Sequence, residues 1–100
     1  MKKKCFVDHV SYQKNSVVSK EIVKKDTGTI TLFSFDKGQG LSEHTAPFDA
    51  FVYVLDGEVE VTIAAVKHRV VSGSMIIMPA HKPHSLKAHK RFKMLLVLIK

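Results

Sequence analysis

Tryptophan is absent from this 100-residue chain, and cysteine occurs once, at Cys5. A single thiol excludes an intramolecular disulfide and any thiolate cluster for zinc. It also suits a reducing compartment. Nothing beside Cys5 in the sequence would activate it as a catalytic thiol. Acidic residues are few: nine Asp and Glu face sixteen Lys and Arg, for a formal net charge of +7. Such an excess suits nucleic acid, an anionic surface or an anionic small molecule. The lysines are scattered, however, and no cluster of arginine with aromatic residues accompanies them. The expectation is therefore a solvated basic surface and not a nucleic-acid site. No apolar run approaches the ~20 residues of a membrane span. The opening Met1-Lys2-Lys3-Lys4 looks like the start of a leader, but Asp8 interrupts the apolar stretch a leader needs. A cytoplasmic protein with no membrane partner is expected. A phosphate-cradling glycine loop, a nucleophile elbow, CxxC and HExxH are all missing.

What is present is short-period apolar patterning. Residues 1–15 have no clear period, and Phe6, Val7, Val10 and Tyr12 read as one helical turn or an irregular arm. Val17 to Val23 reads as extended. Asp26-Thr27-Gly28 signals a turn. Thr29 to Phe35 alternates with period two, and β-branched and aromatic residues dominate it. Ala50 to Leu55 is rich in strand formers. Asp56-Gly57 reads as a hairpin turn, after which Glu58 to Ile63 alternates again. If Val59, Val61 and Ile63 face inward, Ala50, Val52 and Val54 face the same interior, leaving Phe51, Tyr53 and Leu55 outside. Ala64 to Lys67 carries the next connection without a glycine. Lys67 to Val71 is a short polar strand, and Met75 to Met78 reads as a buried one. Ser85 to Ala88 and Arg91 to Ile99 complete the series. About eight short strands with turn chemistry between them argue for an antiparallel sandwich or barrel. One domain is expected over residues 1–100, with an arm and edge strand over 1–28 and the barrel core over 29–99.

Two stretches carry histidine beside a proline turn. Gly40 to Gly57 sets His44 before Pro47, and Gly73 to His84 ends on His84 after Pro83. Neutral imidazole is the commonest metal ligand, and two histidines with one carboxylate suit non-haem iron and similar metals. Asp49 is the nearest carboxylate, either a third ligand or a cap on its turn. His81 is either a ligand or a rim residue. His9, His68 and His89 sit among polar neighbours and receive no role. Met75 and Met78 read as core fillers.

On these residues the chain resembles the cupin superfamily, in particular its small single-domain bacterial members. The second cupin motif runs glycine, five residues, Pro-x-Gly, two residues, histidine. Gly73, Pro79 and His84 reproduce that spacing, with His81 where glycine is usual. The first motif runs from glycine through a His-x-His pair and a glutamate to a closing glycine. His44 stands at its first histidine and Gly57 at its end, but Ala46 and Ala50 occupy the other two ligand positions. The resemblance covers roughly residues 30 to 99. It implies an all-β fold, a small antiparallel β-barrel or jelly roll of the cupin-like double-stranded β-helix type. It further implies that His44 and His84 face one cavity and that a small organic ligand binds there. A divalent transition metal (iron, manganese, nickel, copper or zinc) would be held by His44 and His84, with Asp49 and His81 as candidate additions. The alternative it allows is a metal-free sensor or sugar-binding cupin with a degenerate metal site. The family's dimers imply that the apolar outer face around Phe51 and Tyr53 packs on a second copy.

Overall fold

The structure is a computed structural model and describes residues 5–100. Residues 1–4, which include the lysine run read above as leader-like, lie outside it. A single 3-10 turn, Phe6–Asp8, is followed by eight strands: β1 Val17–Lys25, β2 Gly28–Phe35, β3 Gly40–His44, β4 Asp49–Ile63, β5 Val66–Val71, β6 Met75–Met78, β7 His84–Lys87 and β8 Phe92–Ile99. Every pairing is antiparallel. The fold is the expected all-β antiparallel barrel. Among the described residues no helix is long and apolar enough to cross a membrane.

The sequence reading divides β4 in two and names no strand where β3 lies. Asp56-Gly57 does not close a hairpin; β4 runs unbroken through 15 residues. Its first half pairs β8 on one side and β6 on the other, and its second half pairs β5 and β7. The inward residues change from even (Ala50, Val52, Val54) to odd (Val59, Val61). A strand can change phase only by carrying an extra residue, and a β-bulge supplies one. The register against β8 slips by one residue between Val54 and Asp56, leaving Leu55 as the extra residue. Gly57 completes the bend with φ +74°, and a Cβ there would fall on the carbonyl oxygen of Arg91. The glycine is required by this close approach and not by a tight turn. The true hairpin is at Ala64-Ala65, where both residues take positive φ (47° and 68°) between Ile63 and its partner Val66. Positive φ at both central residues is the geometry of a type I′ turn, normally occupied by Asn-Gly.

β4 therefore belongs to both curved halves of the barrel, and the core lies along it. Val52, Val54, Val59 and Val61 are essentially sealed from solvent, as are Phe35, Phe92 and Met94. Each such side chain contributes about 1.5–3 kcal/mol by burial. Phe35 and Phe92 are ladder partners, and their rings stack with centroids 4.6 Å apart. The inward parity read from the sequence holds on both halves of β4. The reading of β6 as buried holds only for Met78. Met75 and Ile77 are 48% and 44% exposed, because β6 is an edge strand and alternate residues point outward.

The arm before β1 lies across one end of the outer face of β2, β8 and β4. Ser34, Lys93 and Asp56 form successive positions of that face. The Ser34 hydroxyl donates to Ser11 O (2.8 Å), Lys93 Nζ to Val7 O (2.6 Å), and the Tyr12 hydroxyl to Asp56 Oδ2 (2.6 Å). Burial and the neighbouring Asp56 carboxylate push the Tyr12 phenol above its ordinary range, so it remains a donor. Val10 is buried beneath this strap.

Candidate functional site: a histidine pair at the mouth of an apolar cavity

His44 is the last residue of β3 and His84 the first of β7, and the two are register partners. Antiparallel pairing thus brings together two histidines 40 residues apart in sequence. His84 is buried at 4% exposure, flanked by Ile63 on β4, while His44 is exposed. Their rings meet edge to face with centroids 4.3 Å apart, and the two Nε2 atoms are 3.1 Å apart.

The other ring nitrogens fix the tautomers. His44 Nδ1 lies 2.8 Å from Ser42 O, and His84 Nδ1 lies 3.1 Å from Lys82 O. A carbonyl oxygen only accepts, so each Nδ1 carries the proton and donates. With the proton on Nδ1, a ring in its neutral form presents its Nε2 lone pair toward the other ring. Two such lone pairs at hydrogen-bond distance repel unless a proton or a metal ion lies between them. Backbone carbonyls in this outer position are also what orients metal-ligating imidazoles in known sites. Burial, followed by the neighbouring His44, lowers the His84 pKa below the ordinary imidazole value, and the Lys82 carbonyl opposes this in part. His84 is therefore held neutral, the form that can ligate.

The donor spacing suits one ion. Two nitrogens each about 2.0–2.1 Å from a metal stand about 2.9 Å apart at a right angle and about 3.3 Å apart at the tetrahedral angle. The observed 3.1 Å falls between them. The other two candidates stand differently. Asp49 Oδ1 accepts the Ala80 backbone N–H at 2.8 Å, which ties the start of β4 to the Pro79–Pro83 turn. His81 is exposed, with φ +67°, and its backbone N–H donates to Ala46 O at 2.8 Å. Among the described residues no group of three His, Cys, Asp or Glu is gathered closely enough to hold a metal. The arrangement offers two protein donors and leaves the remaining positions to water or a ligand.

Behind the pair lies a cavity of about 260 Å³. Ala46 and Ala50, at the positions where the family motif has ligands, line it together with His44 and His84. Phe48, Met78, Leu86, Met94, Leu96 and Leu98 supply much of the rest. The sequence reading left the lining contributed by β8 unassigned. The alternation of Phe92, Met94, Leu96 and Leu98 was the available signal, hidden because the outward residues Leu95 and Val97 are equally apolar. Met78, read as a core filler, is also part of the cavity wall.

An antiparallel barrel that opens at a histidine pair defines a class of small all-β barrel domains. Residues 31–99 match the cupin domain family, and the chain belongs to it. Similar solved structures include a conserved protein of unknown function from Streptococcus pyogenes, 39% identical, with TM-score 0.95 over 99% of this chain and 87% of that one. A cupin 2 conserved barrel domain protein from Leptotrichia buccalis is 41% identical, with TM-score 0.92 over 94% of this chain and 46% of that one. A cupin superfamily protein from Desulfitobacterium hafniense is 32% identical, with TM-score 0.88 over 92% of this chain and 84% of that one. No curated protein matches the chain.

Proposed function

We propose that the protein is a small cupin that holds an exchangeable divalent transition metal between His44 and His84 and receives a small organic ligand in the cavity behind them. The observation that carries this reading is the approach of the two Nε2 atoms to 3.1 Å, with each ring's Nδ1 against a backbone carbonyl. A bound metal would act as a Lewis acid toward a ligand oxygen. The chain's own residues orient the donors, keep His84 neutral and exclude water from the apolar wall. With two imidazoles and no protein carboxylate gathered beside them, the site holds metal less tightly than a four-ligand site. Asp49 joins as a third donor only by releasing the Ala80 N–H, and His81 only by a change in the Pro79–Pro83 turn.

The test is reconstitution with iron, manganese, nickel, copper and zinc, followed by elemental analysis. About one ion per chain is expected in the parent protein. Loss of that ion is expected in His44→Ala and His84→Ala. Equal metal content in the parent and the double variant would overturn the proposal. The metal-free reading, with the histidines as hydrogen-bonding groups, is favoured by Ala46 and Ala50 standing where ligands usually stand. It predicts stabilisation by small molecules in the presence of chelator.

The protein is also read as a homodimer. Support comes from the outer face of the sheet beyond the arm. There Val23, Ile30, Val97, Phe51 and Ile77 are successive ladder partners, and Leu95, Tyr53 and Met75 form the next row. Val23, Met75 and Ile77 are exposed at its edges. A contiguous apolar face of this kind marks an association surface. Light scattering should give a dimer mass for the parent and a monomer mass for Met75→Lys combined with Ile77→Lys. A monomeric parent at micromolar concentration would end this reading.

A further inference from the structure

We infer that the ligand of this cavity is a compact apolar monoacid: one hydrocarbon body of about a single ring, carrying one anionic oxygen head that sits at His44 and His84. The head's charge rests on the metal reading above, whereas the body's character rests on the cavity wall alone. Of the side chains lining the cavity, only His44 and His84 carry a nitrogen or oxygen atom. The remainder is hydrocarbon and thioether. Met94 is fully buried, and Ala50, Met78 and Leu86 are nearly so, which places the apolar depth behind the half-open histidine pair.

Three features define the class. A sugar or a dicarboxylate would carry several hydroxyls or a second charge into a wall that has no partner for them, and unpartnered buried polar groups are costly. Such ligands are excluded. Size comes next: about 260 Å³ exceeds the ~150 Å³ cavity that accepts benzene and falls below the roughly 300–1,000 Å³ of drug-sized ligands. Charge is the third. A cation between the two Nε2 atoms calls for an anionic or strongly basic oxygen opposite it. At the rim, Lys100 Nζ stands 5.3 Å from the centroid of Phe48, a lining residue, and adds positive potential. Asp49, the acid at the start of β4, is engaged by the Ala80 N–H.

The methionines provide the readout. Met78 and Met94 line the cavity, whereas Met75 is on the outer face. In full-length protein carrying ¹³C-methyl methionine, benzoate should shift the Met78 and Met94 methyl signals saturably and leave Met75 in place. Glucose and succinate at the same concentrations should move none of them. Ala46→Leu, at the half-buried rim, should weaken the benzoate response at least tenfold. Unmoved Met78 and Met94 signals on benzoate addition, or equal shifts with glucose, would overturn the inference. Metal content measured in parallel separates the two readings. Retained metal with no benzoate response overturns this inference and leaves the metal site standing. A benzoate response without retained metal supports the apolar body and overturns the metal site together with the argument from it for the charged head.

Discussion

Two clusters of titratable side chains bridge strands on this barrel, and they are built in opposite ways. On the outer surface of β4 and β5, Glu58 pairs with Arg69 and Lys90, and Glu60 pairs with His89 and Lys67. Lys67, Arg69 and Lys90 are 72–74% exposed, and each carboxylate has at least one of them beside it. Arg69 first, and Lys90 after it, hold the Glu58 carboxyl below its usual range. Such exposed pairs explain themselves and contribute little. At the cavity mouth, two groups of the same kind face each other instead, with the buried one held neutral. A cluster that is already satisfied needs nothing further. A cluster of two imidazole nitrogens 3.1 Å apart is completed only by a proton or a metal ion between them.

The sharpest way to break this contrast is to remove one member from each side. His84→Ala should weaken metal binding on the order of 100-fold, by the scale of losses at ligand-supporting positions. Glu58→Ala should leave it unchanged, as measured by competition with a chromogenic chelator. Next comes the joint between the two regions. Gly57→Val forces a branched side chain onto the Arg91 carbonyl at positive φ and should cost about 3 kcal/mol, read by urea denaturation. The hairpin at Ala64-Ala65 holds two alanines in left-handed geometry, and its Ala64 N–H donates to Pro83 O, next to His84. Ala64→Asn with Ala65→Gly should stabilise the fold by about 1 kcal/mol, seen as a rise in Tm.

A pH titration sharpens the comparison further. His84 titrates below the ordinary 6.5 in the folded protein, so the unfolded chain takes up this proton first. Its contribution to stability is full above about pH 6.5 and declines as pH falls from there through the lower folded value. Urea midpoints should drop over that window in metal-free protein, and the drop should be smaller in His84→Gln. The smallest effect belongs to the surface cluster: Arg69→Ala should produce no measurable change in Tm at physiological salt.

Much of this molecule was legible from period-two alternation. β2, both halves of β4 and the inward parity of Val52, Val54, Val59 and Val61 follow from it. What local sequence conceals is whether a turn signal is used as a turn. Asp56-Gly57 carries hairpin chemistry, but the Leu55 bulge and the Arg91 carbonyl beneath Gly57 make it a bend within one strand. The real hairpin has alanines, whose propensity argues against positive φ, so its pairing is imposed by the β4–β5 ladder. His44 and His84 could be named from their turns. Their tautomers could not, because Ser42 and Lys82 contribute only backbone carbonyls, which every residue has. The exposure of Met75 and Ile77 was hidden for a related reason: an apolar edge strand reads like a buried one until its neighbours are known.

The shared strand β4 has a mechanical consequence. Its first half forms the floor beside Met78 and Leu98, and its second half supports His84 through Ile63. Neither half of the barrel can peel away alone, since the same polypeptide is hydrogen-bonded into both. The domain should therefore melt as a single cooperative unit, with the backbone amides of Val52 and Val61 exchanging at a common free energy.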